Sequence, residues 1–344
     1  METALTDLHG AGLYLSPDGT KFAVRLFEDT NGDGSVPGTD QNNIYLYPLS
    51  DQALTLMTEA EPANNVQISW LSDNQRFTYT SYKDIYLYNL KSAASSKFLS
   101  FSGPIFSHQW SPDGRWLAVV SAISDEPGLQ ADHKLDLYDI ETNNLISVVS
   151  KLGTSRVSWS PDSQWLAFSH DCCNQGLYII SIKDMVPIQL NSGRSFASWS
   201  PDGQWLAFTT QSGAGSLNLW NPNTQLVERL LEGNGRMSQP IWSPDSQYLA
   251  VALNTEEESS LLVTDIINKT SNTLLIGPKP TAEPGPARWP LETLSWSPDG
   301  QWLLFEASGK DNRNFSVVNY ANGESFVVFD FTGTDVPEDV YWLP

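Results

Sequence analysis

Short runs of alternating apolar and polar residues recur along the chain, and pairs of runs are separated by one recurring turn. Aligned on that turn, seven segments repeat: LYLSPDGTKFAV from Leu13, ISWLSDNQRFTY from Ile68, HQWSPDGRWLAV from His108, VSWSPDSQWLAF from Val157, ASWSPDGQWLAF from Ala197, PIWSPDSQYLAV from Pro240 and LSWSPDGQWLLF from Leu294. Period-two alternation places successive side chains on opposite faces of a strand. Proline fixes φ, and Asp and Gly favour a tight turn, so each segment is predicted to be a β-hairpin. A third run follows in each copy, as in NIYLYPL, KLDLYDI and SLNLWNP, and then a shorter fourth, as in ALTLM, LISVV and SFVVF. The turn aspartates Asp18, Asp73, Asp113, Asp162, Asp202, Asp245 and Asp299 lie 40 to 55 residues apart, a variation that loop insertions in a fixed unit produce. Seven units of four strands, with no amphipathic helical period, predict an all-β, seven-bladed β-propeller of four-stranded antiparallel blades.

The W-S-P-D-G-x-W-L-A-F signature resembles the TolB-type, WD-like β-propeller repeat, also seen in the propellers of prolyl-oligopeptidase-like and tricorn-like proteases. The resemblance covers essentially the whole chain and implies the propeller fold. It leaves function open, because such propellers serve as protein-binding platforms, substrate gates and, in some lyases, active sites. Copies one and two depart from the pattern, with Leu15 in place of the first Trp and WLSDN in place of WSPDG. A single domain over residues 1–344 is expected, made of seven repeats and a closing strand. Val340, Tyr341, Trp342 and Leu343 align with Ile68, Ser69, Trp70 and Leu71, the opening strand of a repeat. That tail is expected to reach the first blade, since an open sheet edge would expose unpaired backbone groups.

Charge narrows the partners. With 19 Lys and Arg against 40 Asp and Glu, the net charge of -21 repels phosphate backbones, so nucleic acid is not expected as a partner. No apolar run approaches the length of a spanning helix, so membrane insertion is not expected either. METALTDLHG lacks the basic start and apolar stretch of a signal peptide. A periplasmic, secreted or surface location is the expectation if an export signal has been removed. The two cysteines, Cys172 and Cys173, are adjacent, which excludes a disulfide framework and reads as two free thiols in a loop.

The tryptophans and turn aspartates recur too regularly for a unique catalytic role. Trp70, Trp110, Trp159, Trp199, Trp242 and Trp296 share one repeat position, and Trp116, Trp165, Trp205 and Trp302 another; both sets are predicted to be core. Function is expected where the repeats differ, in the loops between second and third strands and in the links between blades. Arg156, Arg194, Arg236 and Arg288 all lie in links that enter first strands, where guanidinium forks could clamp a carboxylate or phosphate. The alternative is that each pairs with a nearby acid. Five prolines between Gly277 and Glu292 stiffen a link that presents Arg288 and Trp289, the composition of an interface hot spot. These five residues are the predicted partner-binding set, with a protein as the expected partner.

DTNGDGSVPGTD, residues 29–40, follows the grammar of an EF-hand calcium loop although it joins two predicted strands. Asp29, Asn31, Asp33 and Asp40 supply side-chain oxygens at loop positions 1, 3, 5 and 12, Gly34 permits the bend, and the Ser35 carbonyl completes the set. A structural Ca²⁺ is predicted there; without a paired EF-hand there is no machinery for a switch. His108, on a first strand, is a candidate base or a packed polar residue. No G-x-S-x-G elbow occurs, so no catalytic residues are assigned. The sequence favours a non-catalytic binding or assembly propeller; the alternative is a metal-assisted polysaccharide or oligouronide lyase built on the propeller channel.

Overall fold

A computed structural model describes residues 12–28, 41–50, 53–60, 66–124, 133–152, 157–170, 176–211, 215–277, 291–308 and 312–332. The chain divides into two compact units, the first ending at Val157 and the second beginning at Ser158. The first holds three antiparallel sheets, here blades 1 (12–60), 2 (68–100) and 3 (105–152). The second holds blades 4 (157–192, its first residue Val157 excepted), 5 (195–233), 6 (236–277) and 7 (291–332). Within every blade the strands pair in chain order, and the fold is that of a seven-bladed β-propeller. Copies one and two, the least regular in sequence, form the same sheet as the others. In blade 6 the first strand is split into Arg236–Met237 and Ile241–Trp242. Pro240 has no N–H to give the ladder, and across the break Ser238 pairs with Ala252, its N–H donating to the Ala252 carbonyl and its hydroxyl accepting from the Ala252 N–H (both 2.9 Å).

The repeated turn has one chemistry. In blade 5 the Ser200 hydroxyl donates to Asp202 (2.6 Å) and accepts from the Trp205 N–H (3.0 Å), while the Asp202 carboxylate accepts from the Gln204 N–H (3.0 Å). Gly203 then sits at φ 71° and donates its N–H to the Ser200 carbonyl. This closes a four-residue hairpin loop around a turn followed by a left-handed residue. Blades 1, 3 and 7 repeat the Ser-to-Asp bond and place Gly19, Gly114 and Gly300 at the same left-handed φ. Blades 2, 4 and 6 carry Asn74, Ser163 and Ser246 there, at φ between 57° and 61°.

Tryptophan fixes the seams between blades. The first-position Trp70, Trp110, Trp159, Trp199, Trp242 and Trp296 are all buried. Of the second set, Trp116 is buried and Trp165, Trp205 and Trp302 are half-buried. Four first-position indoles donate to the carbonyl one residue before the equivalent position of the preceding blade: Trp70 to Tyr14, Trp199 to Ser158, Trp242 to Ser198 and Trp296 to Ile241, at 2.8–3.3 Å. Each ring so placed buries apolar area and satisfies its one polar atom.

All seven blades also share a β-bulge between third and fourth strands, after Ile44, Ile85, Leu135, Leu177, Leu217, Leu261 and Phe315. The extra residue is always apolar: Met57, Phe98, Val148, Leu190, Leu230, Leu274 and Val328. Met57, Phe98, Leu190, Leu230 and Leu274 pack into the core cluster of the following blade. A bulge adds twist and re-aims a side chain, and here it turns an outer-strand residue into the seam.

Candidate functional site

A cluster of charge lies in the second unit, where first strands begin and second strands end. Gly193, at φ 105°, bends the link before Arg194, whose carbonyl accepts from the Gln211 N–H (3.0 Å). The Arg194 guanidinium lies over the Phe196 ring at 5.8 Å, and the side chain is exposed. Arg236 opens blade 6 opposite Asn254, and the Gln211 amide reaches across from blade 5 to the neighbouring Met237 carbonyl. Asn254, buried, then clamps blade 7: its amide donates to the Leu291 carbonyl (3.0 Å) and accepts from the Leu291 N–H (3.3 Å). Glu292, the next residue, is thereby held near Arg236.

Electrostatics ties these groups together. Burial pushes the Arg236 guanidinium below its ordinary value, the Arg194 charge pushes it the same way, and Glu292 opposes both. Two like charges that feel each other gain from an intervening anion, and guanidinium forks match carboxylate and phosphate geometry. Glu292 faces Glu306 across the first two strands of blade 7, with Glu306 buried and Glu292 exposed. Cross-strand like charges repel, so this pair also favours nearby cations.

Of the predicted partner-binding set, Arg194 and Arg236 lie among the described residues, and the charge of the first acts on the second. Arg156, Arg288 and Trp289 lie outside the described residues, as do Cys172, Cys173 and the calcium-loop residues Asp29, Asn31, Asp33, Ser35 and Asp40. Among the described residues no group of three or more His, Cys, Asp and Glu is placed to hold a metal, and no helix is long and apolar enough to cross a membrane.

His108 is packed away from solvent in the first unit. Its Nε2 lies 2.9 Å from the Thr78 hydroxyl, and its Nδ1 is buried without a hydrogen-bond partner among the described residues. Burial lowers its pKa to about 4. Only 6% of the residue is exposed, so substrate has no approach to its ring.

Three features escaped the sequence reading. Glu306 and Arg25 each place a buried charge at one repeat position of the second strand, where other copies have Thr80, Val120, Ser169, Thr209 and Ala252. That departure from the repeat was the available signal. Glu292 carried none, since it ends a link already read for its prolines. Tyr82, in the two-residue hairpin loop between Ser81 and Asp84, is half-exposed at φ 56°. A non-glycine residue held there stores backbone strain, and this one offers an aromatic ring on the loop end of blade 2.

No protein-family model matches the chain, and no curated protein matches it. Solved structures do. An oligogalacturonate lyase in complex with manganese aligns over 85% of this chain and 84% of its own, at 16% identity and a TM-score of 0.58. Dipeptidyl peptidase 4 from Porphyromonas gingivalis aligns over 92% of this chain and 52% of its own, at 12% identity and a TM-score of 0.64. TolB from Acinetobacter baumannii aligns over 88% and 77%, at 17% identity and a TM-score of 0.44. At these identities the first two likenesses concern the fold.

Proposed function

We propose that this propeller is a non-catalytic binding and assembly module, a single domain over residues 1–344 that presents irregular loops at one end of its blades to a protein partner. One observation carries the reading: Arg194 and Arg236, from two separate links, share an electrostatic neighbourhood that a partner's carboxylate would neutralise. Arg156, Arg288 and Trp289 extend the same surface in this reading, and Ca²⁺ held by Asp29, Asn31, Asp33, Ser35 and Asp40 anchors the loop of blade 1.

The lyase alternative has one favouring observation, that the charges of Arg194 and Glu292 both act on Arg236, since arginines could hold a uronate carboxylate. Burial of His108 removes its candidate base. A single experiment separates the two readings. The immobilised chain should retain a specific protein from its native source, and Arg194→Ala with Arg236→Ala should weaken retention at least tenfold with an unchanged thermal melt, the scale of hot-spot losses of about 2 kcal/mol. The same preparation, supplied with manganese and a panel of oligouronides, should release no unsaturated product. Turnover that disappears in the double variant would move the assignment to the lyase.

A further inference from the structure

The links that carry Arg194 and Arg236 share one step, Ser192-Gly193-Arg194 before blade 5 and Asn234-Gly235-Arg236 before blade 6, and differ in the residue that precedes the glycine. Packing dictates the second glycine. A Cβ added to Gly235 would lie 2.3 Å from the Asn254 carbonyl oxygen, and one added to Gly215 would lie 2.3 Å from the Gly235 carbonyl oxygen, so strand, link and strand meet backbone to backbone. Nothing comparable dictates Asn234. The residue is exposed, and among the described residues neither its side chain nor the Gly235 N–H has a hydrogen-bond partner.

Asn followed by Gly is the pair most open to loss of the side-chain amide, because glycine has no Cβ to crowd its nitrogen. The step needs no reagent but water. The Gly235 nitrogen attacks the Asn234 Cγ, its proton passes through solvent to the leaving amide, and ammonia departs as the ring closes to a succinimide. Water adding at Cγ opens the ring to aspartate; water adding at the backbone carbonyl leaves isoaspartate, with one more carbon in the chain. Neither route oxidises or reduces anything. A second described pair serves as an internal control: in the turn of blade 7 the Gly323 N–H donates to the Asn319 carbonyl, and the Asn322 side chain accepts from the Glu324 N–H, both at 2.9 Å. There the attacking nitrogen and its target are both held. The third pair, Asn31-Gly32, lies outside the described residues.

We propose that Asn234 is a self-modification site of the folded protein, converting to aspartate and isoaspartate and so setting a carboxylate two residues before Arg236. The product changes the candidate site in two ways. A carboxylate in this link competes for the guanidinium forks with any carboxylate that a partner brings, a consequence that rests on the function proposed above. Isoaspartate also lengthens the link where Gly235 has no spare room against Asn254, so Arg236 must shift against that same strand partner. A newly made chain and an aged one therefore differ at this surface.

Peptide mapping by mass spectrometry of the full chain, aged while folded in mildly alkaline buffer, reads the conversion at each pair. Asn234 should exchange its side-chain NH2 for OH at least tenfold faster than Asn322, the scale expected when two hydrogen bonds must open before the second pair can react. In urea the two should convert at similar rates. An acidic form should appear on isoelectric focusing with the time course of Asn234, and Asn234→Ser, which copies Ser192 of the sister link, should lose that component. These readouts need no partner, so they decide the proposal apart from the binding function. Asn234 that stays intact in the folded chain while it converts in urea overturns the proposal, as do equal rates for Asn234 and Asn322 in the folded chain.

Discussion

The indole nitrogen of Trp110 reaches a hydroxyl where four of its counterparts reach a carbonyl. Thr78 stands in the path, accepting from Trp110 at 2.9 Å and lying 3.3 Å from the Ser69 carbonyl that the repeat rule would have supplied. The same hydroxyl meets His108, so one oxygen joins three groups at the seam of blades 2 and 3. Arg76 is the only charge on the four strands around this ring, Ile68–Trp70, Arg76–Ser81, Ile105–Trp110 and Trp116–Ala122, so no carboxylate on them stabilises an imidazolium, and the hydrogen bond with Thr78 offsets burial only in part. The consequence for stability has a definite sign. Folded His108 titrates near about 4, below its usual value, so as pH falls through about 6.5 the unfolded chain takes up this proton first. Stability should therefore decline from about pH 6.5 to about pH 4, by roughly 3 kcal/mol in all, and the contribution should level off below that. The turn carboxylates act in a lower window. Serine hydroxyls two residues earlier lower Asp18 and Asp299 most strongly, so their stabilisation is present above about pH 4 and lost as pH falls further. Urea unfolding at pH 7 and pH 4.5 tests the assignment: His108→Gln should be less stable than wild type at pH 7 yet lose much less between the two pH values.

At the scale of the element, the hairpin was legible and its refinements were not. Pro-Asp-Gly announced a turn, and the serine before it, also part of the quoted motif, proved to be the hydroxyl that ties the loop shut. What the motif did not reveal is that Gly and a short polar residue take turns at the left-handed position, Gly in blades 1, 3, 5 and 7 and Asn or Ser in blades 2, 4 and 6. The structure gives a reason for two of the three polar residues. Asn74 accepts from the Asp18 N–H of blade 1 (3.0 Å), and the Ser246 hydroxyl accepts from the Asp202 N–H of blade 5 (3.1 Å), so the side chain at the turn reaches back to the preceding turn. The bulges were equally hidden. An extra residue in an outer strand leaves the apolar alternation nearly intact, and only pairing across the sheet exposes it. A substitution series at Gly300 tests the backbone reading. Its φ is 69°, which costs most side chains about 1 kcal/mol, whereas Asn visits this region readily and does so at Asn74. Thermal unfolding should place Gly300→Ala about 1 kcal/mol below wild type and Gly300→Asn within about half that distance. Equal losses for the two variants would mean that the Pro244 ring, 3.6 Å from an added Cβ, sets the cost instead of φ.

Across the whole molecule, repetition made the fold readable and hid the function. Seven copies identify what every blade shares, so residues unique to one blade stand out only after the shared positions are aligned. Arg194 and Arg236 stand out differently, by recurring with Arg156 and Arg288 in the links; Glu306 is unique to its blade, yet an isolated acid in a strand looks like ordinary variation. The loop at residues 29–40 is unique in kind, since its signal is a spacing of oxygens and owes nothing to the repeat. The strands that flank it, Lys21–Glu28 and Gln41–Pro48, pair in unbroken register from Lys21 opposite Pro48 to Glu28 opposite Gln41. Glu28 and Gln41 are therefore neighbours, and a calcium loop needs its two ends close together, whether helices or strands bring them there. Ca²⁺ that binds only the folded chain should add about 2.7 kcal/mol at a free concentration a hundred times its dissociation constant. Melts with calcium and with chelator should therefore differ for the wild type, and the difference should vanish in a chain carrying both Asp29→Ala and Asp33→Ala. Calorimetry should count one site. Magnesium at the same concentration should shift the melt much less, because an irregular set of carboxylate and carbonyl oxygens suits the larger, less demanding ion. An equal calcium shift in the double variant would place the ion elsewhere, and no shift in the wild type would reduce the loop to an Asp- and Asn-rich turn held by its own backbone bonds.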